Sequence, residues 1–303
     1  MIIMKNTILF LIFLSLQSCS FLETKSYKDQ TERLNSLSKE NKIIAEDLMA
    51  FIKSTDQRYF TRSNAINSGI QSTEDFMSIT KYSDFEVRVS RGDEIQKIGR
   101  MISEGKLTSP GRGEKRKLVW GRFYSIDVHP KTPLVGMLHA TLVLQLFEDG
   151  SVVTGGWLDV MPGTRVEEDM DYLKKVTDDY FEKNEASPIL YRKLVCKGTH
   201  ETIEAFRRKP SCSGVSFYGP PVFRDSGEKS YRFIQGMFIE FVDAYFDIIE
   251  KRVDDPYNEL DLIAQEKMRK SWLIDQLFSD PFASKIVPFE VWGTANLPPT
   301  IKF

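Results

Sequence analysis

The chain is poor in the residues that build metal centres and disulfide frameworks, since its 303 residues contain 3 histidines and 3 cysteines. It has neither a CxxC pair nor a His/Cys cluster with zinc-ligand spacing, which argues against a zinc-finger domain. Three cysteines are also too few for a disulfide scaffold. A formal net charge of −2 gives no reason to expect a nucleic-acid partner. The composition leaves a globular domain with few chemically distinctive positions.

The N-terminus has the features of a targeting segment. Lys5 precedes the apolar run Ile8–Leu14, which is too short to span a bilayer as a permanent helix. The segment ends Leu16-Gln17-Ser18-Cys19 and resembles a bacterial lipoprotein cleavage box. This predicts an exported lipoprotein, anchored to a membrane of the cell envelope through lipidated Cys19. The alternative is an ordinary secretory signal, whose cleavage frees the protein.

Three regions follow from the composition along the chain. Residues 1–19 are the signal segment, residues 20–37 are polar and charged and predict a tether, and residues 38–303 form one domain. The interior has no linker-like segment and no internal repeat. A chain of this length can bury a sizeable core.

Strand signals concentrate in the first half of the domain. Period-two alternation predicts a strand over Phe85–Ser90, which Arg91-Gly92-Asp93 turns back onto a second strand. Three more strands are predicted to follow, and an Asp149-Gly150 turn joins the last two as a hairpin. These three strands are Tyr124–Val128, Leu138–Phe147 and Val152–Asp159.

Helix signals flank the strands. Ser38 is a candidate N-cap, and Thr164 with Glu167 has the spacing of a capping box. Apolar positions at helical spacing predict helices that begin near residues 38, 164, 188, 230 and 259. We interpret Ser54–Tyr82 as loop with a short helix, and Ser213–Tyr218 as a core strand. The pattern predicts an α+β fold in which a large antiparallel sheet is sandwiched between helical layers of a single domain.

Two of the 3 histidines fall in one predicted hairpin. His129 and His139 lie at the ends of adjacent strands, Asp159 lies on the next strand, and Gly155-Gly156 lets a backbone or a ligand come close. These residues are predicted to line one pocket. The alternative is that the histidines are hydrogen-bonded structural residues.

The order of these residues resembles a known family. Ser125, His129-Pro130, Pro133, His139, Gly155-Gly156, Asp159, Pro162 and Glu167-Glu168-Asp169 are similar in order to oxygen-dependent coproporphyrinogen III oxidase. Further blocks agree: Ala244–Arg252 with Asp255-Pro256-Tyr257 and Glu259, then Lys97, Gly99 and Ser103, and finally Leu297-Pro298-Pro299. The resemblance covers roughly residues 40 to 300.

The resemblance implies an activity and a set of roles. The reaction is oxidative decarboxylation of two propionates of coproporphyrinogen III, giving protoporphyrinogen IX in haem biosynthesis, with molecular oxygen as co-substrate and no required cofactor. It implies a homodimer with a large antiparallel sheet. Ser125 matches a substrate-contacting serine, and His139 a proton donor. His129 and His139 match divalent-metal ligands.

Several family positions differ in this chain, and the differences leave other functions open. Thr141 and Val143 stand where the family has the asparagine and arginine that hold substrate. An enzyme would use His139 and Asp159 for catalysis, with Arg207 or Arg208 as replacement propionate clamps. The alternatives are a catalytically degenerate lipoprotein that binds a tetrapyrrole or other anionic ligand, and a scaffold that binds another protein.

Cys196 and Cys212 remain after Cys19 is assigned to the lipid. They are predicted either to form a disulfide in an oxidising compartment or to be buried free thiols.

Overall fold

A computed structural model describes residues 33–79, 83–105, 116–196 and 209–278, with side chains to residue 272. These residues contain five long elements of helix and a seven-stranded sheet. The helices are α1 (Lys39–Ile66), α2 (Glu167–Lys183), α3 (Ile189–Cys196), α4 (Gly227–Arg252) and α5 (Glu259–Phe278). The strands are β1 (Gln71–Ile79), β2 (Ser83–Gly92), β3 (Ile95–Gly105), β4 (Leu118–Pro130), β5 (Met137–Phe147), β6 (Val152–Met161) and β7 (Val215–Ser216).

The sheet keeps the order of the chain, β1 to β7, and every neighbouring pair is antiparallel. The predicted hairpin turn between β5 and β6 is present, with Gly150 at a φ of 79°. That left-handed conformation favours glycine. The predicted strands are confirmed, and some extend beyond their predicted bounds, as in β4, which begins at Leu118 and not at Tyr124.

One face of the sheet carries the main core under a helical layer. Helix α4 buries a broad stripe that includes Phe238, Phe241 and Ile249. Beside it, α1 packs on β3 and α4, and Phe51 of α1 meets the ring of Phe238 edge-on at 5.7 Å. Helix α2 packs on α4.

The other face of the sheet is covered at one end by α5. The side-chain amide of Gln265 donates to the carbonyls of Pro130 and Thr132, at 3.2 Å each. Further along α5, Trp272 packs with Met137 and Met161. Helices thus pack on both faces of one antiparallel sheet, which confirms the α+β single-domain prediction.

The prediction for the stretch that begins at Ser54 was wrong. The stretch from Ser54 is not loop, because α1 continues to Ile66 and Tyr59 and Phe60 extend its buried stripe. Strand β1 follows at the sheet edge, where its mostly exposed residues give no clear alternation.

Thr164 does not cap α2. Its hydroxyl donates to Asp261 at 2.8 Å, and the residue before the helix is Val166, which makes no side-chain cap. Ser38 does cap α1, as predicted, by accepting from the amide of Asn41. The predicted core strand from Ser213 is short, since β7 holds two residues.

The described part of the predicted tether is residues 33–37. There Arg33 forms an ion pair with buried Glu104, and Leu34 and Leu37 pack against the core. None of the helices in the described part of the chain combines the length and apolar character needed to cross a bilayer. Cys196 and Cys212 are free thiols; Cys196 is exposed and Cys212 half-buried.

Candidate functional site

Three acidic and imidazole side chains form a row across the middle of the sheet. Asp127 of β4 lies opposite His139 of β5, and His139 lies opposite Asp159 of β6. Residues directly opposite on antiparallel strands point to the same face. The row lies on the face that α5 covers at one end, away from the main helical layer.

His139 and Asp127 are joined by a hydrogen bond. Nδ1 of His139 donates to Oδ1 of Asp127 across 2.6 Å, and the two side chains are 14% and 20% exposed. Burial raises the pKa of Asp127, but the charge and hydrogen bond of His139, together with Lys97, outweigh it and lower the pKa below 3.8. An ionised Asp127 accepts a hydrogen bond from the proton on Nδ1, which orients the ring and leaves Nε2 as the nitrogen for proton exchange.

A second row lies next to the first, toward the end of the sheet. Lys97 of β3 lies opposite His129 of β4, and both are buried. The indole of Trp272 meets the His129 ring edge-on at 5.6 Å and lies 5.9 Å from Nζ of Lys97. The two rows together place Lys97, Asp127, His129 and His139 in one polar cluster, which we call the His139 cluster.

Burial sets the protonation of the second row. It lowers the pKa of His129 to about 3, with a further lowering from the charge of Lys97, so His129 is neutral near pH 7. Burial also lowers the pKa of Lys97, while Asp127 opposes that shift. Nε2 of His129 is buried and has no hydrogen-bond partner among the described residues.

Asp159 is fully buried and holds a turn of the chain. Its carboxylate accepts from the hydroxyl of Ser211, the amide of Cys212 at 2.9 Å and the amide of Gly214 at 3.1 Å. Burial raises its pKa despite these hydrogen bonds. Asp159 is therefore beside His139 in the sheet, but its oxygens are used by residues 211–214.

The glycine pair and Ser125 lie near the cluster. Ser125 is buried on β4, two residues before Asp127 and opposite Thr141. The Cα of Gly155 faces the ring of Tyr218, and that of Gly156 faces the carbonyl of Thr141. Both glycines therefore allow close approach, and in this structure the approaching groups come from the protein itself.

The described residues do not form a cluster of metal ligands. Within the four described ranges, no group of three or more His, Cys, Asp or Glu side chains could hold an ion. A protein site for a divalent transition metal normally has three or four such ligands. The ligand roles of His129 and His139 stay a prediction.

Two of the motif blocks that carry the family resemblance contact each other. Arg252 of α4 binds both carboxylate oxygens of Asp169 in α2, at 2.9 and 3.0 Å, and also Glu168. The hydroxyl of Tyr245, in the same block as Arg252, donates to the carbonyl of Gly136 at 2.8 Å. That contact fixes α4 to the loop between His129 and His139.

Comparison with known proteins gives one distant match. The chain is 25% identical over 170 residues to the oxygen-dependent coproporphyrinogen-III oxidase of Francisella philomiragia subsp. philomiragia, covering 51% of this chain and 52% of that enzyme. The chain thus matches about half the length of this curated relative. No family model matches. The similarity suggests the oxidase family and agrees with the motif resemblance.

The structure brings some of the predicted site residues together. His129 and His139 share the His139 cluster, Ser125 lies next to it, and Asp159 lies beside His139 but bonds elsewhere. Arg207, Arg208 and Cys19 lie outside the described residues.

Sequence analysis gave no role to Asp127 or Lys97. Asp127 could have been found, because it lies in a predicted strand on the same face as Ser125 and His129 by period two. Lys97 appears in a motif block, but its pairing with His129 depends on the register of β3 and β4.

Proposed function

We propose that this protein binds a propionate-bearing porphyrinogen at the His139 cluster and decarboxylates it oxidatively. The single observation that carries the proposal is the Asp127–His139 hydrogen bond of 2.6 Å on a partly buried sheet face. It provides an oriented imidazole whose Nε2 can exchange a proton with a substrate. The distant similarity to a coproporphyrinogen-III oxidase supports the same chemistry.

Lys97 supplies the cation that the substrate requires. A buried ammonium binds a propionate carboxylate strongly, because the low dielectric strengthens a charge-assisted hydrogen bond. Burial lowers the pKa of Lys97, and a bound carboxylate would counter that shift. The carboxylate thus stabilises the charged lysine, which in turn fixes the substrate.

The chemistry balances with molecular oxygen as the oxidant. For each propionate, the chain R–CH2–CH2–COO⁻ with O2 and one proton gives R–CH=CH2, CO2 and H2O2. The carbon–carboxyl bond and one C–H bond break, and O2 takes the two electrons. His139 moves the proton on or off the pyrrole nitrogen or the propionate carbon as general acid–base catalyst.

The remaining candidate residues have supporting roles in this proposal. Ser125 contacts substrate from the floor of the site, and Arg207 or Arg208 clamps a second propionate. Asp159, whose oxygens hold residues 211–214, acts by positioning that turn rather than by touching substrate.

A second candidate function is binding without turnover, and Thr141 is the observation that favours it. Its hydroxyl accepts from the amide of Trp157 at 2.8 Å and pairs with the hydroxyl of Tyr218 at 3.1 Å. The family resemblance implies a substrate-holding asparagine at this position. Here the position holds a threonine whose hydroxyl makes hydrogen bonds within the protein. A protein with this change could keep a tetrapyrrole or other anionic ligand without converting it.

One experiment separates the two functions. Coproporphyrinogen III is added anaerobically to the purified protein, binding is measured, oxygen is admitted, and products are separated with fluorescence detection. Product above a protein-free control supports the oxidase, with loss of that product in His139→Ala. Tight binding without product supports the second function, binding without turnover. If the protein neither binds the compound nor forms product, both proposed functions are overturned.

We further propose that Cys19 carries a lipid and that the protein works as a homodimer at the cell envelope. Cell-made protein should partition into detergent, and Cys19→Ala should release it or leave the precursor uncut. Light scattering of the soluble domain measures the dimer directly.

A further inference from the structure

A cavity lies on the face of the sheet opposite to the His139 cluster. A groove of about 1000 Å³ runs between α1 and strands β1 to β4. Arg88, Arg100 and Arg122 line it, on the face where Tyr124 and Ile102 enter the main core. The proposed decarboxylation does not use this groove, so the inference below does not depend on the proposed function.

Two of these arginines lie opposite each other on neighbouring strands. Arg88 of β2 lies directly opposite Arg100 of β3. Like charges at directly opposite positions destabilise an antiparallel pair. Planar guanidinium groups in this arrangement favour the binding of a carboxylate, phosphate or sulfonate between them.

The three arginines differ in how firmly they are held. Arg122 and its partner Glu104 have side chains 5% and 1% exposed, so this pair is part of the core. Arg100 is also buried, with Nε 2.8 Å from Asp56. These two are fixed parts of the groove wall.

Arg88 is the most exposed of the three guanidinium groups, and it binds both carboxylate oxygens of Asp75, at 2.8 and 3.0 Å. It pairs with Asp75 at the sheet edge, and the two side chains are 37% and 56% exposed. Exposed ion pairs contribute about 0–1 kcal/mol, so a ligand anion can compete with Asp75. Lys53, which is exposed on α1, adds a second cation at the rim of the groove.

The rest of the groove is partly apolar. Ile52 and Phe60 of α1 and Ile102 of β3 line it, and the guanidinium carbon of Arg88 lies 5.7 Å from the centre of the Phe60 ring. An apolar wall beside a cation suits a ligand with an anionic head and a hydrophobic body.

We propose that this groove binds an amphipathic organic anion, with its acidic head at Arg88 and Lys53 and its apolar body against Ile52, Phe60 and Ile102. Each of the three arginines is paired with a carboxylate, namely Asp75, Asp56 and Glu104. Lys53 makes no ion pair with a described residue, so the rim of the groove keeps a cation for an acidic head.

The test uses two dyes with the same aromatic skeleton, anionic anilinonaphthalene sulfonate and neutral N-phenylnaphthylamine. Each dye is titrated with the full chain and with three variants, and its fluorescence is measured. Arg88→Met removes the rim cation and keeps an apolar stem. Arg91→Met is the matched control, because Arg91 lies on the same strand, pairs with Glu74 and points to the other face. Thr61→Trp fills the groove from an exposed position of α1.

The expected result is specific to charge and place. Arg88→Met should weaken the sulfonate dye about tenfold, the loss of one hydrogen bond to a charged group, and change the neutral dye less than about twofold. Thr61→Trp should weaken both dyes, and Arg91→Met neither. The proposal is overturned if the sulfonate dye binds equally to wild type, Arg88→Met and Thr61→Trp, or if Arg91→Met weakens it as much as Arg88→Met does.

Discussion

Nδ1 of His139 lies 2.6 Å from Oδ1 of Asp127 on the neighbouring strand, and this contact organises the candidate site. The two residues come from β4 and β5, joined by the loop that Tyr245 fixes to α4. The imidazole is therefore oriented by a carboxylate, and the carboxylate by the rigid sheet. A histidine held in this way suits proton transfer, because both its tautomer and its direction are set before a substrate binds.

Removing the charge of Asp127 should impair turnover more than stability. In Asp127→Asn the amide no longer requires the proton on Nδ1, so part of the His139 population carries the wrong tautomer. We expect a loss of about tenfold or more in coproporphyrinogen turnover, and about 10²–10⁴-fold in His139→Ala. Product fluorescence and melting temperature are measured on the same preparations.

Asp75→Asn is the matched control, since Asp75 also forms a side-chain pair between two neighbouring strands, with Arg88, but lies at the exposed sheet edge. Asp75→Asn should change neither coproporphyrinogen turnover nor melting temperature measurably. Full activity in Asp127→Asn would mean that His139 does not act through this contact. A large stability loss in His139→Ala with unchanged activity per folded molecule would make His139 a structural residue.

The strands of the candidate site could be predicted because their apolar residues alternate. Ile126 and Val128 point into the main core, while Ser125, Asp127 and His129 point to the other face. β1 could not be predicted in this way, since it lies at an edge and its mostly exposed side chains carry no alternation. The failed capping box has another physical reason: the hydroxyl of Thr164 found a tertiary partner, Asp261, that lies 97 residues away along the chain.

The stability of the protein should decrease with acid because of His129. Its pKa falls from 6.5 to about 3 on folding, since burial disfavours the charged ring. Between these values the unfolded chain binds a proton that the folded chain does not, so the free energy of unfolding falls as pH decreases. The slope from this one residue is at most about 1.4 kcal/mol per pH unit.

His129→Phe tests this assignment by keeping the aromatic contact with Trp272 and removing the titration. Urea unfolding of both proteins from pH 7 to pH 4 gives a difference curve in which other groups cancel. The variant should gain stability relative to wild type as pH falls below 6.5. A flat difference curve would show that His129 is not buried as a neutral ring.

The hydrogen-bond partners of Asp159 could not be predicted from residue types alone. A lone aspartate beside a glycine pair is typical of a site residue, and sequence analysis gave it a catalytic role. Its three hydrogen bonds to residues 211–214 depend on β7 lying next to β6, and β7 has two residues and a weak pattern. Long-range contacts of this kind are not encoded in local periodicity.

Asp159→Asn should destabilise the fold, because one accepting oxygen becomes an NH2 donor. In place of Oδ1 it faces the hydroxyl of Ser211 and the amide of Gly214, and in place of Oδ2 it faces the amide of Cys212. We expect a loss of about 1–3 kcal/mol in the free energy of unfolding. Asp178→Asn is the control, since Asp178 is 42% exposed in its pair with Arg192 and should lose little. Lost activity with unchanged stability in Asp159→Asn would instead support the catalytic role.

The glycine pair gives a test in which two neighbouring positions should respond differently. A Cβ on Gly156 would lie 2.5 Å from the carbonyl oxygen of Thr141 and 3.3 Å from a methyl of Ile234. A Cβ on Gly155 would lie 3.1 Å from the ring of Tyr218. The first contact is with backbone of the central strand β5, which cannot move without disturbing the sheet.

Gly156→Ala should therefore lower the free energy of unfolding by about 1–3 kcal/mol, the range for overpacking a core. Gly155→Ala should lose less, because the Tyr218 side chain can shift by a few tenths of an ångström. Urea unfolding of both variants measures the difference, and equal losses would contradict it. The same pair also probes the site: since Tyr218 also bonds Thr141, a displaced Tyr218 in Gly155→Ala should change ligand affinity at the His139 cluster while the fold stays intact.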